Sequence, residues 1–393
     1  MKRTTFLTAS LLATEFGTRP LKGDAASDTA EEAPAPYGRP SPHESDVVRR
    51  PRGVPSPALT PLAAQLGTIT PNGLFFVRDH AGIPNLDPAR HRLLVHGLVR
   101  KPLVFSLTDI ARFPSVSRNA FIECAGNTSP GWRGLGDGVQ FSHGLLSNAQ
   151  WTGVPLRLIL DEVGAERDGT WLVAESADGA GYDRSLPVAN LGDALLVYGQ
   201  NGEMLRPEQG YPLRLIVPGF EGSAQVKWLR RIEVVRTPVY SREDTAQYAT
   251  LDASGISHPF VFTMPVKSVV TLPSPEHPLP ERGAYECRGF AWSGRAAIRQ
   301  VEITTDGGAS WSKATLDDAR AAQSLARFTF PLRWDGSEMV VASRASDASG
   351  DVQPTFAALR AARSPDLRYH LNAIAGWRVR TDGRVESADV SGS

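Results

Sequence analysis

The segment of this chain best suited to chemistry is Arg118-Asn119-Ala120-Phe121-Ile122-Glu123-Cys124-Ala125-Gly126-Asn127. A strand-like run ends in a cysteine, and the small residues after it let the backbone approach another group, since Gly126 adds no side chain. Soft thiolate sulfur suits a redox metal, but one cysteine cannot hold a metal alone, so further ligands must come from elsewhere. Taken in isolation, a lone cysteine also fits a buried, inert small hydrophobe. Cys287 is the only other cysteine; it lies on the strand-like Ala284-Tyr285-Glu286-Cys287-Arg288-Gly289 and is read as structural. No CxxC occurs, so neither a disulfide framework nor a thiolate zinc site is supported. His143 in Phe141-Ser142-His143-Gly144 and His370 after Tyr369 are candidate pocket residues, with a structural role equally open for each.

These residues must be positioned by the elements around them. Between about Leu59 and Thr250, short apolar runs bounded by Gly and Pro read as strands: Arg92–Gly97, Trp171–Ala174 and Leu213–Val217. Helical patterns are fewer and short. Ser106 can cap a helix over 106–113 with Asp109 in its first turn, and Pro155 and Gly164 bracket another. Together these predict an α+β domain over 58–254. After Gly255 alternation dominates, as in Ala297–Thr305 followed by the turn Asp306-Gly307-Gly308, and this predicts an immunoglobulin-like β-sandwich over 255–383. The last residues are polar and predict a frayed end from about Arg380, with 384–393 as a tail.

Residues 1–57 read as a possible signal followed by a disordered arm. Lys2-Arg3 precedes a mildly apolar stretch, Phe6 to Ala13, which fits an export signal or simply an unanchored terminus. From Gly23 to Pro57 the composition is rich in Pro, Ala, Ser, Asp and Glu, without apolar periodicity. Lys plus Arg number 42 and Asp plus Glu number 42, so no overall charge draws the chain to nucleic acid or to an acidic membrane surface. No apolar run approaches the ~18 residues that span a bilayer.

Cys-Ala-Gly-Asn after a strand resembles the metal-binding signature of the sulfite oxidase family of molybdopterin enzymes. Other matches follow in that family's order. Ile69-Thr70-Pro71-Asn72-Gly73-Leu74-Phe75-Phe76-Val77-Arg78-Asp79-His80 is similar to its first segment, and Gly210–Gly219 with Val226-Lys227-Trp228 is similar to its pterin-phosphate segment. Gly289–Gly294 and Thr305–Trp311 resemble its C-terminal dimerisation sandwich. Within the family, Thr70–Leu74, Phe113–Arg118, Asn201-Gly202-Glu203, Arg206–Pro212 and Tyr369-His370 are most like the sulfane dehydrogenase subgroup of bacterial sulfur-oxidising systems.

The resemblance implies a molybdenum-molybdopterin cofactor, its metal bound by a pterin dithiolene, oxo groups and the thiolate of Cys124. It implies catalytic roles for Arg78, which would attract an anionic sulfur group, for Tyr248, 21 residues beyond Lys227, and for Arg368. Asp79, His80, Gln209, Arg214 and Lys227 fall at positions that bind the cofactor, where a phosphate needs several charge-assisted donors. Gln209 departs from the family's histidine. Thr128-Ser129 stands where sulfite oxidases carry arginine after the signature, so the pocket is less suited to a compact dianion. The implied activity is oxidation of sulfane sulfur on a carrier protein. With no CxxCH haem attachment in the chain, electrons pass to a c-type cytochrome subunit, in a periplasmic homodimer or heterotetramer. A free sulfite dehydrogenase, a sulfoxide reductase and a non-enzymatic secreted binding protein are the alternative readings.

Overall fold

The computed structural model describes residues 50–51, 57–129, 138–317, 321–363 and 369–390. Nearly all of the predicted signal and arm, and Arg368, lie outside them. No helix among the described residues is long and apolar enough to cross a membrane.

Both helices expected from their caps are present. Ser106 closes a capping box on the Leu107–Ile110 helix: its Oγ accepts from the Asp109 amide at 3.1 Å, and the Asp109 carboxylate accepts from the Ser106 amide at 3.0 Å. Leu156–Val163 follows Pro155 and stops at Gly164, whose φ of 64° is cheap only without a Cβ. That helix turns Leu156, Ile159 and Val163 into the core.

The first half of the described chain is built on two five-stranded sheets. One is mixed: Leu229–Val235 runs parallel to Leu93–Gly97 and antiparallel to Trp171–Ser176, with Leu103–Phe105 and Asp183–Pro187 outside them. The other is antiparallel, with Val116–Glu123 at its edge beside Leu146–Pro155, then Leu195–Gln200, which pairs with both Glu203–Met204 and Arg214–Ile216. One core cluster fills the space where strands of these two sheets meet, including Leu93, Val154, Leu196, Leu229 and Ile232.

The second half is the expected antiparallel sandwich. A four-stranded sheet of Lys267–Leu272, Gly283–Trp292, Ala326–Trp334 and Thr315–Leu316 faces a five-stranded one that includes Ile298–Thr304 and Met339–Asp347. Its core holds Val269, Cys287, Phe290, Val301 and Trp377, and extends to Phe121 and Leu146 of the first half. The α+β class and the sandwich are therefore observed. The frayed C-terminal end is not: Val385–Ala388 pairs with Gly376–Val379 as the edge strand of the five-stranded sheet. This strand has almost no apolar alternation because one side and one edge face water, where Arg380 pairs with Glu338 and Glu386.

Candidate active site

Cys124 is the first residue beyond the Val116–Glu123 strand. Its amide donates to Leu145 O at 3.0 Å, and its carbonyl accepts from the Asn127 amide at 2.8 Å, so the chain turns at once. The Asn127 side chain staples this turn, donating to Glu123 Oε1 at 2.9 Å and accepting from the Leu145 amide at 3.1 Å. Gly222 lies against the same turn; a Cβ there would stand 3.1 Å from Glu123 O and 3.3 Å from Cys124 Cα. Burial pushes the Cys124 thiol up, opposed by the Gly126 amide and the charge of Arg78.

Cys124 lines a cleft between the strand ends of the first half. Eight of the sequence-predicted site residues, Arg78, Asp79, His80, Cys124, Gln209, Arg214, Lys227 and Tyr248, line this one cleft. They come from five separate stretches of chain, so the fold converges them. Arg78 lies just past the buried Phe75 and Phe76 and donates to the Asp79 carbonyl. Asp79 is buried and accepts from the Gly82 amide at 3.2 Å, closing the turn that presents His80. His80 stacks on Tyr182 with ring centres 5.8 Å apart, and its Nε2 lies 3.1 Å from Tyr248 Oη. Burial, and then Arg78 and Lys227, lower the His80 pKa, so the ring is neutral at neutral pH.

Tyr248 caps the one-turn π-helix Glu243–Gln247 and packs on Tyr369 at 5.4 Å. Its hydroxyl is held well above the usual phenol range by burial first, with the neighbouring ionisable groups Tyr182, Cys124 and Glu221 adding to this. It therefore stays protonated and able to donate.

At the other end of the cleft Gln209 donates to Phe76 O at 2.9 Å, and its own carbonyl accepts from Arg214 at 3.0 Å. Arg214 is the first residue of its strand, buried over the Trp151 ring at 5.4 Å. Lys227 Nζ donates to the carbonyls of Arg78 at 3.0 Å and Glu208 at 3.1 Å and lies 4.4 Å over Trp228. Burial lowers Arg214 to about 9; burial and the charge of Arg214 lower Lys227 to about 7.

Sequence reasoning missed the layer beneath Tyr248. Arg184, fully buried, pairs with Glu221 at 2.8 Å and Asp244 at 2.8 Å, also donates to Ser223, and lies 4.9 Å from the Tyr248 ring centre. Burial works against its charge, but Glu221, Tyr182 and Asp244 outweigh that and hold the guanidinium above its ordinary pKa. Glu221 also binds His370 Nε2 at 2.6 Å. The available signal was Arg184 on the short strand Asp183-Arg184-Ser185-Leu186-Pro187, where a charge between buried neighbours demands a partner. Of the two histidines, His370 joins this layer, while His143 lies outside the cleft and is buried against Ser142 Oγ at 2.8 Å. Cys287 is fully buried in the sandwich core, which pushes its thiol up to about 12.

The residues present fit a metal-bearing pterin. Among the described residues no cluster of three or more His, Cys, Asp or Glu could hold a metal, so a metal at Cys124 needs ligands brought by an organic group. Arg214, buried, and Lys227, partly buried, form no ion pair with a carboxylate among the described residues, as suits a phosphate group.

Comparison with known proteins agrees. Residues 80–242 match the oxidoreductase molybdopterin binding domain and residues 258–374 the Mo-co oxidoreductase dimerisation domain. The fold and cleft thus define a molybdopterin oxidoreductase. The chain is 33% identical over 315 residues to sulfite oxidase of Gallus gallus, covering 73% of this chain and 68% of that protein. It is 33% identical over 316 residues to mitochondrial sulfite oxidase of Homo sapiens, covering 73% of this chain but 57% of the human one. The crystal structure of the sulfane dehydrogenase SoxCD from Paracoccus pantotrophus superposes with a TM-score of 0.89 at 42% identity, covering 93% of this chain and 97% of that one. The chain belongs to the sulfite oxidase family of molybdopterin enzymes.

Proposed function

We propose that this protein is the molybdopterin subunit of a sulfane dehydrogenase, oxidising sulfane sulfur on a carrier protein and passing electrons to a c-type cytochrome subunit in the periplasm. The observation that carries the enzymatic reading is one cleft with a soft thiol, Cys124, and two cations, the buried Arg214 and the partly buried Lys227, that form no ion pair among the described residues. In this reading 58–254 is the catalytic domain, and 255–383 together with the strand that follows it forms the dimerisation sandwich.

Cys124 is the protein's ligand to molybdenum, while Arg214 and Lys227 receive the pterin phosphate and Asp79, His80 and Gln209 border the ring system. When bound, the cofactor supplies the two-electron chemistry at sulfur and releases electrons singly. The polypeptide does the rest. Arg78 draws an anionic sulfur terminus towards Cys124, and its planar fork of donors orients it. Tyr248 keeps its proton at Oη and offers it to an oxygen at the reacting centre. Neutral His80, with Nε2 3.1 Å from Tyr248 Oη, orients that hydroxyl and has an edge open to solvent. Arg368 is proposed to add a second cation to the substrate end.

Two features favour the sulfane substrate over free sulfite. One is the likeness to the Paracoccus sulfane dehydrogenase. The other is the pair of uncharged residues after the signature, whose hydroxyls are turned to the backbone: Thr128 Oγ1 donates to Leu371 O at 2.9 Å, and Ser129 Oγ to Gly126 O at 2.6 Å. Sulfite dehydrogenase is the second reading, because the curated relatives include sulfite oxidases. Metal and pterin analysis of the wild type beside Cys124→Ser tests the site; stoichiometric molybdenum with full activity in the mutant would refute the ligand. Rapid cytochrome reduction by sulfite alone, without carrier, would refute the substrate.

A further inference from the structure

The carboxylate next to Cys124 is held from the other half of the molecule. Glu123 is completely buried. Its Oε1 accepts from Asn127 at 2.9 Å and from Lys267 Nζ at 2.8 Å, and its Oε2 accepts from Trp292 Nε1 at 2.7 Å. Lys267 and Trp292 are both sandwich residues: Lys267 opens one strand, Trp292 ends the next, and the two are direct cross-strand partners. They present two donors side by side at the end of the sheet nearest the first half. Lys267 Nζ also donates to Thr128 Oγ1 at 3.0 Å, so one ammonium ties the residue before the cysteine to the residue four beyond it.

We propose that Lys267 and Trp292 are positioning residues for Cys124, acting through Glu123, so that the sandwich sets the geometry of the metal ligand. The main chain leaves little play for any other outcome. The Glu123 carbonyl is backed by Gly222, the Cys124 amide is fixed to Leu145, and the Asn127 side chain joins Glu123 to Leu145 across the turn. With the backbone so constrained, a carboxylate held by three donors transmits its placement to the next Cα through one peptide plane. The inference rests on Cys124 as the metal ligand for only one of its two readouts.

The test uses the full chain and the variants Trp292→Phe, Lys267→Met and Lys267→Arg. Trp292→Phe deletes one N–H donor while keeping an aromatic ring. Labelling of Cys124 by iodoacetamide is followed in cofactor-free protein, where the fully buried Cys287 does not compete. The molybdenum electron paramagnetic resonance is recorded in loaded enzyme, and thermal unfolding confirms that each variant is folded. Trp292→Phe should unfold near the wild-type temperature yet label about tenfold faster, as loss of a charge-assisted hydrogen bond that restrains local opening implies, and its resonance should shift. Lys267→Met should do the same more strongly and Lys267→Arg should restore both signals. A folded Trp292→Phe with wild-type labelling and an unchanged resonance would overturn the proposal, whatever Lys267→Met does. A wild type that binds no molybdenum would remove the ligand assignment, and the labelling rates would still decide the clamp.

Discussion

Lys227 gives the sharpest quantitative expectation. In the cofactor-free chain burial and Arg214 bring its ammonium from 10.5 to about 7. A depression of that size is a cost to the folded state of about 5 kcal/mol when the group is charged. The cost is fully present below pH 7, where both the folded and the unfolded chain bind the proton. Between pH 7 and 10.5 the unfolded chain binds more protons than the folded one, so stability rises with pH across that window and the cost has vanished above it. Lys227→Met removes the charge at similar length but leaves the carbonyls of Arg78 and Glu208 without this donor, at about 1–3 kcal/mol. Below pH 7 the variant should therefore be more stable than the wild type by roughly 2–4 kcal/mol, and by pH 10 it should be less stable. A phosphate beside the ammonium reverses this balance in the wild type, because an anion favours the charged form.

Thermal unfolding of cofactor-free protein from pH 6 to 10, with and without inorganic phosphate, measures both effects. The wild type should gain several degrees with phosphate at pH 6 and little at pH 10. Lys227→Met should start higher at pH 6, show a flatter pH profile and lose most of the phosphate response and most of its pterin. A variant that is less stable than the wild type at pH 6, or that keeps the wild-type slope, would refute the assignment of Lys227 as a desolvated cation awaiting an anion.

Tyr248→Phe should retain molybdenum and pterin while turnover falls about 10²-fold, the usual worth of a positioned proton donor; unchanged turnover would remove Tyr248 from the chemistry. Arg184→Met leaves Glu221 and Asp244 buried without their cation and should cost about 3–5 kcal/mol in urea unfolding, whereas a loss below 1 kcal/mol would show the layer to be plastic. Glu221 is lowered in pKa, burial being outweighed by Arg184 and His370. Its stabilisation is present above the ordinary carboxylate range and is lost as pH falls through the depressed value, so Glu221→Gln should flatten the acid limb of the stability profile.

Legibility in the sequence followed the distance between partners. The helix over Leu107–Ile110 was visible because Ser106 and Asp109 are three residues apart, and Cys124 stood out because strand, thiol and glycine are contiguous. Arg78, Lys227 and Tyr248 were placed by resemblance to a family, since nothing local relates them, and the fold brings them to one cleft. The Arg184 layer was invisible because Glu221 and Asp244 lie 37 and 60 residues away. The clamp on Glu123 was further still, with Lys267 and Trp292 at separations of 144 and 169. A buried charge announces that it needs a partner, and no pattern says where in the chain the partner is.

That need also sorts the buried cations of this protein by purpose. Arg184 and Lys267 each face a buried carboxylate at 2.8 Å, so their charge is neutralised within the chain and their work is to hold Tyr248 and the Cys124 turn in place. Arg214 is buried and Lys227 partly so, yet their hydrogen-bond partners are neutral carbonyls and an amide, and desolvation lowers both. A fold stabilised only for its own sake gains nothing from two such groups, since apolar replacements of equal size would be less costly. Their place in a cleft beside a thiol is what the proposed phosphate-bearing ligand would explain. The cleft-lining cations without a buried carboxylate are thus the ones to mutate for cofactor affinity, and the paired cations are the ones to mutate for geometry.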